Sequence, residues 1–99
     1  MNGMKLMMIL VPSECLEGVQ EVIEQHEIHA YTEIPQVLGS GSSGRKLGTR
    51  AFPGSSSMFL VIVPEGESEK VTSAVRDYAQ KSACSEGIRA FAVPAELVV

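Results

Sequence analysis

The chain is short of positive charge. Eight Lys and Arg stand against twelve Asp and Glu, a net charge of −4 with a pI near 5.1. Neutralising a nucleic-acid backbone needs a basic face that this balance does not supply, which excludes nucleic acid as a general partner. Long apolar runs are also missing. The run Leu6 to Val11 is too short for a secretory h-region and far too short to span a bilayer. The expectation is a cytoplasmic protein with no membrane insertion.

Cysteine and histidine are scarce. Cys15 and Cys84 lack the CxxC spacing of a metal site, so the expected state is two reduced thiols packed as small apolar groups, with a disulfide or redox switch as the minor alternative. The two histidines, His26 and His29, adjoin no Ser or Asp signature, so no nucleophile, base and orienting group assemble into a catalytic set. The expectation is a protein that is not an enzyme. With the cysteines, His26 and His29 are weak metal candidates at most; His26 falls on the apolar side of a helix, where a packing role is expected.

What the chain does have is one core's worth of sequence. Ninety-nine residues, 44% hydrophobic and 20% charged, form a single domain that buries roughly two-thirds of its extended surface. Lys5 to Val11 reads as a central strand ended by Pro12. Cys15, Val19, Val22, Ile23 and His26 then recur at helical spacing, with Ser13 as candidate N-cap. Gly18 inside that helix costs up to ~1 kcal/mol relative to Ala and points to close packing there.

Ile28 to Leu38 reads as a strand, and Pro35 confines it to an edge or a bulge. Met58 to Val63 is a buried strand. Val71, Ala74, Val75, Tyr78 and Ala79 mark a second helix with Ser68 as candidate N-cap, and Ile88 to Val93 a last strand. The order β-α-β-loop-β-α-β predicts an α+β fold, a ferredoxin-like βαββαβ sandwich with a four-stranded antiparallel sheet and both helices on one face. The strands carry few polar residues for the other face, so that face is expected to pack against further copies of the chain.

Residues 39–56, GSGSSGRKLGTRAFPGSS, form the long connection between the halves: five glycines, six serines and threonines, and the cations Arg45, Lys46 and Arg50. Backbone N–H groups and cations of this kind suit an anion. Gly39, Gly41 and Gly44 spell GxGxxG, but no helix is expected after them, so they are no dinucleotide fingerprint. The turn around Phe52 suggests an anchor on the body.

Taken together, VLGSGSSGRKLG, the opening KLMMILVP strand, the pair Tyr31 and Thr32, and the closing EGIRAFAVP resemble the PII (nitrogen regulatory P-II) signalling family over nearly the whole chain. The resemblance implies a homotrimer that binds a small molecule in clefts between subunits, an adenine nucleotide such as ATP, ADP or AMP. It implies that residues 39–56 are a T-loop-like flexible loop engaging an unidentified protein, a transporter or an enzyme.

The ligand set implied is Thr32, Gly39, Gly41, Arg45, Glu86, Gly87 and Arg89; the partner-binding loop residues are Lys46, Arg50 and Phe52. There are departures. Ile88 stands at the family's B-loop lysine position, Ser43 where a glutamine is usual, and residues 39–56 hold no tyrosine for uridylylation. A divergent PII-like protein is therefore expected. The alternative is a metal-responsive trimer similar to the divalent-cation tolerance (CutA) family.

Overall fold

In the computed structural model, residues 3–26, 28, 30–41, 44–46 and 55–99 are described. The elements run β1 (Met4–Pro12), a 3-10 turn (Ser13–Cys15), α1 (Leu16–Gln25), β2 (Thr32–Val37), β3 (Gly39–Gly41), β4 (Gly44–Lys46), β5 (Ser56–Pro64), α2 (Glu65–Lys81) and β6 (Arg89–Ala95). Strand β1 is central, as its continuous apolar run predicts. It pairs antiparallel with β5 on one edge and with β6 on the other. Strand β2 then pairs with β5, giving the order β2-β5-β1-β6 of a ferredoxin-like sheet.

Alternation along the strands divides the side chains between two faces. Met7, Ile9, Val11, Phe59, Val61 and Val63 point under the helices and are buried with Val19 and Ile23 of α1 and Val71 and Val75 of α2. The residues between them form cross-strand rows on the opposite face: Val93, Leu6 and Ile62; Phe91, Met8 and Leu60; Leu10, Met58 and Ile34. No helix covers these rows, and Phe91 is 60% exposed and Ile62 51%. Leu97, Val98 and Val99 are themselves exposed and give the rows no cover.

Two contacts fix the helices to one another and to the sheet. A Cβ on Gly18 would collide with the Tyr78 hydroxyl, so α1 and α2 approach closely at this glycine, as its place in the helix predicts. Tyr31 stands edge-on to Phe59, ring centroids 5.4 Å apart and planes at 81°. Its hydroxyl accepts from Gln20 Nε2 at 2.8 Å and donates to Glu24 Oε1 at 3.1 Å, which ties the end of α1 to the start of β2.

Several local expectations are corrected. Ser13 does not cap α1: Cys15 is the N-cap, with no side-chain hydrogen bond, while Ser13 Oγ donates to Ser55 O at 3.0 Å. Helix α2 starts at Glu65 rather than after Ser68. Glu65 and Glu67 occupy its first turn, where the helix dipole favours negative charge, and the Ser68 hydroxyl bonds back to Glu65 O at 3.0 Å. Strand β2 begins at Thr32, not Ile28. Strand β6 runs on through Pro94, which an edge strand tolerates because one side of its backbone has no ladder partner.

The largest correction concerns the cysteines. Cys15 and Cys84 form a disulfide, their Cα atoms 6.5 Å apart, instead of two separate thiols. The bond joins the β1–α1 junction to the turn that precedes β6. No spacing rule could have paired two residues so far apart in the chain; the fold brings them together.

Glycine substitutions should therefore act in opposite directions. Gly18→Ala is expected to lower stability by about 1 kcal/mol, because overpacking against Tyr78 outweighs the gain in helix propensity. Gly66→Ala, where no atom lies within 4 Å of the added Cβ, should raise it by about 0.5–1 kcal/mol. Urea unfolding midpoints of the two variants check the contrast.

Candidate functional site

Chemistry-bearing residues gather at both ends of the sheet. At one end, Pro12 of β1 lies in register with Ser56 of β5, and Ser56 with Val37 of β2. The chain leaves β2 there through a bulge: Pro35 and Gln36 face the single Ser57, between the pairs Ile34↔Met58 and Val37↔Ser56. Gln36 sits at φ 55°, a left-handed conformation costly for a non-glycine residue and often found where a strand must be re-aimed. Pro35 thus sits in an edge strand and at a bulge, both of which its ring permits.

Beyond the bulge the long connection is not featureless. β3 and β4 pair antiparallel, Gly39↔Lys46, Ser40↔Arg45 and Gly41↔Gly44, in a short hairpin. Glycine and serine carry no period-two signal, which hid this pairing in the sequence. The three glycines lie in strands, and the next described element after β4 is strand β5. Arg50 and Phe52, the remaining partner-loop candidates, lie outside the described residues.

The turn before β6 supplies the other predicted residues of this end. Gly87 N and Ile88 N donate to Cys84 O at 2.9 and 3.0 Å. A Cβ on Gly87 would meet Pro12 Cγ at 2.5 Å, so glycine here is a packing requirement. Glu86 is exposed. Arg89 opens β6 opposite Leu10, its Nη1 donating to Ile88 O at 2.9 Å, and borders a cleft of about 270 Å³ with Arg76, Gln80 and Ser85.

These residues do not form one pocket within the chain. Arg89 and the start of the β3–β4 hairpin lie at opposite edges of the sheet, separated by three strand intervals or roughly 14 Å. Thr32 is farther along β2, opposite Leu60.

At the far end of the sheet lies a cleft that sequence reading missed. It opens where β2 stops short of β5, and has a volume of about 310 Å³. Ile28, Ala30, Val63 and Val71 give it apolar walls, with His26, Glu67 and Lys70 at the polar positions. His26 is exposed rather than packed into the core, with Nδ1 3.0 Å from Val22 O. A carbonyl only accepts, so Nδ1 carries the proton and Nε2 of the neutral ring is an acceptor. The signal lies in where β2 begins, which no local pattern encodes.

The metal candidates are not assembled. Cys15 and Cys84 are bonded to each other, His29 lies outside the described residues, and no group of three or more His, Cys, Asp or Glu is placed to hold an ion among the described residues. No described helix is long and apolar enough to cross a membrane.

The sheet order, the helices on one face and the long connection between the halves define a ferredoxin-like domain of the loop-bearing kind. Within that class the chain belongs to the nitrogen regulatory protein P-II family, whose model matches residues 4–99. The match bears out the PII-like resemblance rather than the CutA alternative. No curated protein sequence matches the chain.

Among solved structures, it is similar to CPII from Thiomonas intermedia K12, a nitrogen regulatory PII-like protein bound to ADP, AMP and bicarbonate. The TM-score is 0.77 at 15% identity, covering 96% of this chain and 88% of that one. The apo form of CPII superimposes with a TM-score of 0.72 at 13% identity, covering 96% and 91%. A PII-like signalling protein from Thermus thermophilus follows at 0.69 and 18% identity, covering 97% and 90%. At these identities the likeness concerns the fold.

Gly87→Ala is expected to push the turn away from Pro12 and to destabilise by about 1–3 kcal/mol. The thermal midpoint measures the loss. An unchanged midpoint would mean that the turn does not depend on this contact.

Proposed function

We propose that the chain is a homotrimeric small-molecule sensor of the PII-like kind. An adenine nucleotide binds between subunits, and residues 39–56 pass the bound state to a protein partner. The observation that carries the reading is the uncovered sheet face. Rows of Leu, Ile, Met, Val and Phe side chains across four strands form a contiguous apolar patch of the kind that marks an interface. A second and third copy would cover it, and a closed ring leaves no patch over.

The division of the candidate residues supports the same reading. The far-end cleft, Thr32 and the hairpin belong to the β2 side of the sheet, whereas Glu86, Gly87 and Arg89 belong to the β6 side. A pocket built between neighbours brings the β2 side of one subunit to the β6 side of the next. At the loop end of the sheet, Arg89 of one subunit and Arg45 of the next suit a nucleotide's phosphates. The solved relatives with ADP and AMP make adenine the first base to test. Regulation without catalysis and a cytoplasmic location belong to this reading.

Light scattering on the purified protein should give three times the 10.6 kDa chain mass. Phe91→Asp, which places a charge on the β6 side of the apolar face, should shift it to monomer. A monomeric wild type would end the trimer reading.

Calorimetric titration with AMP, ADP, ATP and cyclic nucleotides should detect at least one with a dissociation constant below millimolar. Arg89→Ala should weaken that nucleotide about tenfold, the loss of one charge-assisted hydrogen bond. No binding below millimolar for any of the four would reject the nucleotide.

A further inference from the structure

We propose that the Cys15–Cys84 disulfide is a thiol-exchange site, through which a dithiol reductant loosens the hold of the domain on residues 39–56. Three segments meet at the bond. The first is the β1–α1 junction, where Cys15 ends the 3-10 turn. The second is the exit of the long connection. Ser55 O accepts from Ser13 N at 3.1 Å and from Ser13 Oγ at 3.0 Å, and the two hydroxyls lie 2.7 Å apart. The third is the turn from Ser82 to Ile88, which holds Cys84. One covalent bond thus lies two residues from the anchor of the loop exit and three from Gly87.

Little besides the bond holds that turn in place. Among the described residues its backbone bonds are internal or run to the end of α2: Ser82 N to Ala79 O at 3.2 Å, Gly87 N and Ile88 N to Cys84 O. Cys84 N donates to Ser82 Oγ at 3.2 Å. The contact of Gly87 with Pro12 and the burial of Ile88 complete its tethers. A turn held in this way opens locally at lower free energy than the sheet. Opening is what access requires, since Cys15 and Cys84 are 9% and 7% exposed.

Exchange proceeds in two steps. A thiolate of the reductant, a dithiol able to close an unstrained ring, attacks one sulfur; the reductant–protein mixed disulfide forms and the other cysteine leaves as thiolate. The reductant's second thiol then displaces its first sulfur from the mixed disulfide. Two electrons and two protons pass to Cys15 and Cys84, and the reductant leaves as its own cyclic disulfide. With the bond open, the turn is no longer tied to the 3-10 turn. Ser13, on that same short turn, then holds Ser55 less firmly. Disulfides of proteins kept in reducing compartments are mostly of this transient, sensing kind.

The proposal takes its functional meaning from the loop reading above, but the test contains no nucleotide, so the two fail separately. The oxidised protein, the protein reduced with dithiothreitol and Cys15→Ser/Cys84→Ser are each given a brief tryptic digest. Cleavage after Arg45, Lys46 and Arg50 is followed by mass spectrometry, and circular dichroism confirms that each sample is folded. The reduced protein and the double variant should be cut in this segment at least fivefold faster than the oxidised protein. In Ser13→Ala, which loses both hydroxyl contacts and keeps only the backbone N–H bond to Ser55 O, the difference between oxidised and reduced forms should fall by at least half. Equal rates in oxidised and reduced wild type would overturn the proposal. So would a bond that dithiothreitol opens only at urea concentrations that unfold the sheet.

Discussion

Two helices on one face of a four-stranded sheet leave the other face without cover, and the rest of this structure answers to that constraint. Burial on the helix side is complete: Met7, Ile9, Val11, Phe59 and Val61 meet Val19 and Ile23 with almost no exposure. The side chains between them on the same strands are just as apolar and only partly buried. A monomer would be expected to alternate polar with apolar here. Strands apolar at consecutive positions are instead those of a sheet covered twice, once by its own helices and once by something else. The proposed trimer supplies the second cover from the same sequence.

That constraint also organises the candidate site. With the sheet faces committed to burial, the ends and edges of the strands remain for ligand chemistry. The edges differ: β2 is short, bulged and stops before β5 does, whereas β6 is straight and exposed. The short edge strand creates the far-end cleft, and the bulge at Pro35 and Gln36 turns the chain out into the β3–β4 hairpin. Irregularity in one edge strand thus makes the cleft and aims the loop, while the regular β1–β5–β6 ladder holds both in position.

Much of this could be read from residues alone, for identifiable reasons. The runs KLMMILV and SMFLVIV are apolar at successive positions and bounded by prolines, so central strands were legible. Pro35 announced an edge or a bulge through its missing N–H, and the structure has both. Gly18 announced close packing within a helix, and only its neighbour, Tyr78, had to come from the fold. The features that were not legible are those that one stretch of chain does not contain. The disulfide joins residues from opposite halves, and the cleft depends on how far β2 extends relative to β5. The start of α2 was misread because Glu65 and Gly66 look like a turn after Pro64. His26 kept helical phase with Val19 and Ile23, yet it lies past the last turn of α1, where the phase no longer points inward.

The two βαβ halves meet at the loop end, and there the chain adds specific bonds to ordinary packing. Between α1 and α2 themselves the contact is mainly apolar, which tolerates small displacements of one element over the other. At the loop end the partners are Ser13 with Ser55, Gly87 with Pro12 and Cys15 with Cys84. The first joins the β1–α1 junction to the loop exit and the other two join that junction to the turn before β6, so moving the junction changes the geometry available to all three. Hydrogen bonds and a covalent bond have narrow optima in distance and direction, whereas apolar contact has a broad one. A junction built this way transmits a local change rather than absorbing it. It stands where the long connection rejoins the sheet, next to the turn that carries Glu86, Gly87 and Arg89. A signal entering at the disulfide and one entering at that turn would therefore act on the loop exit through the same few contacts.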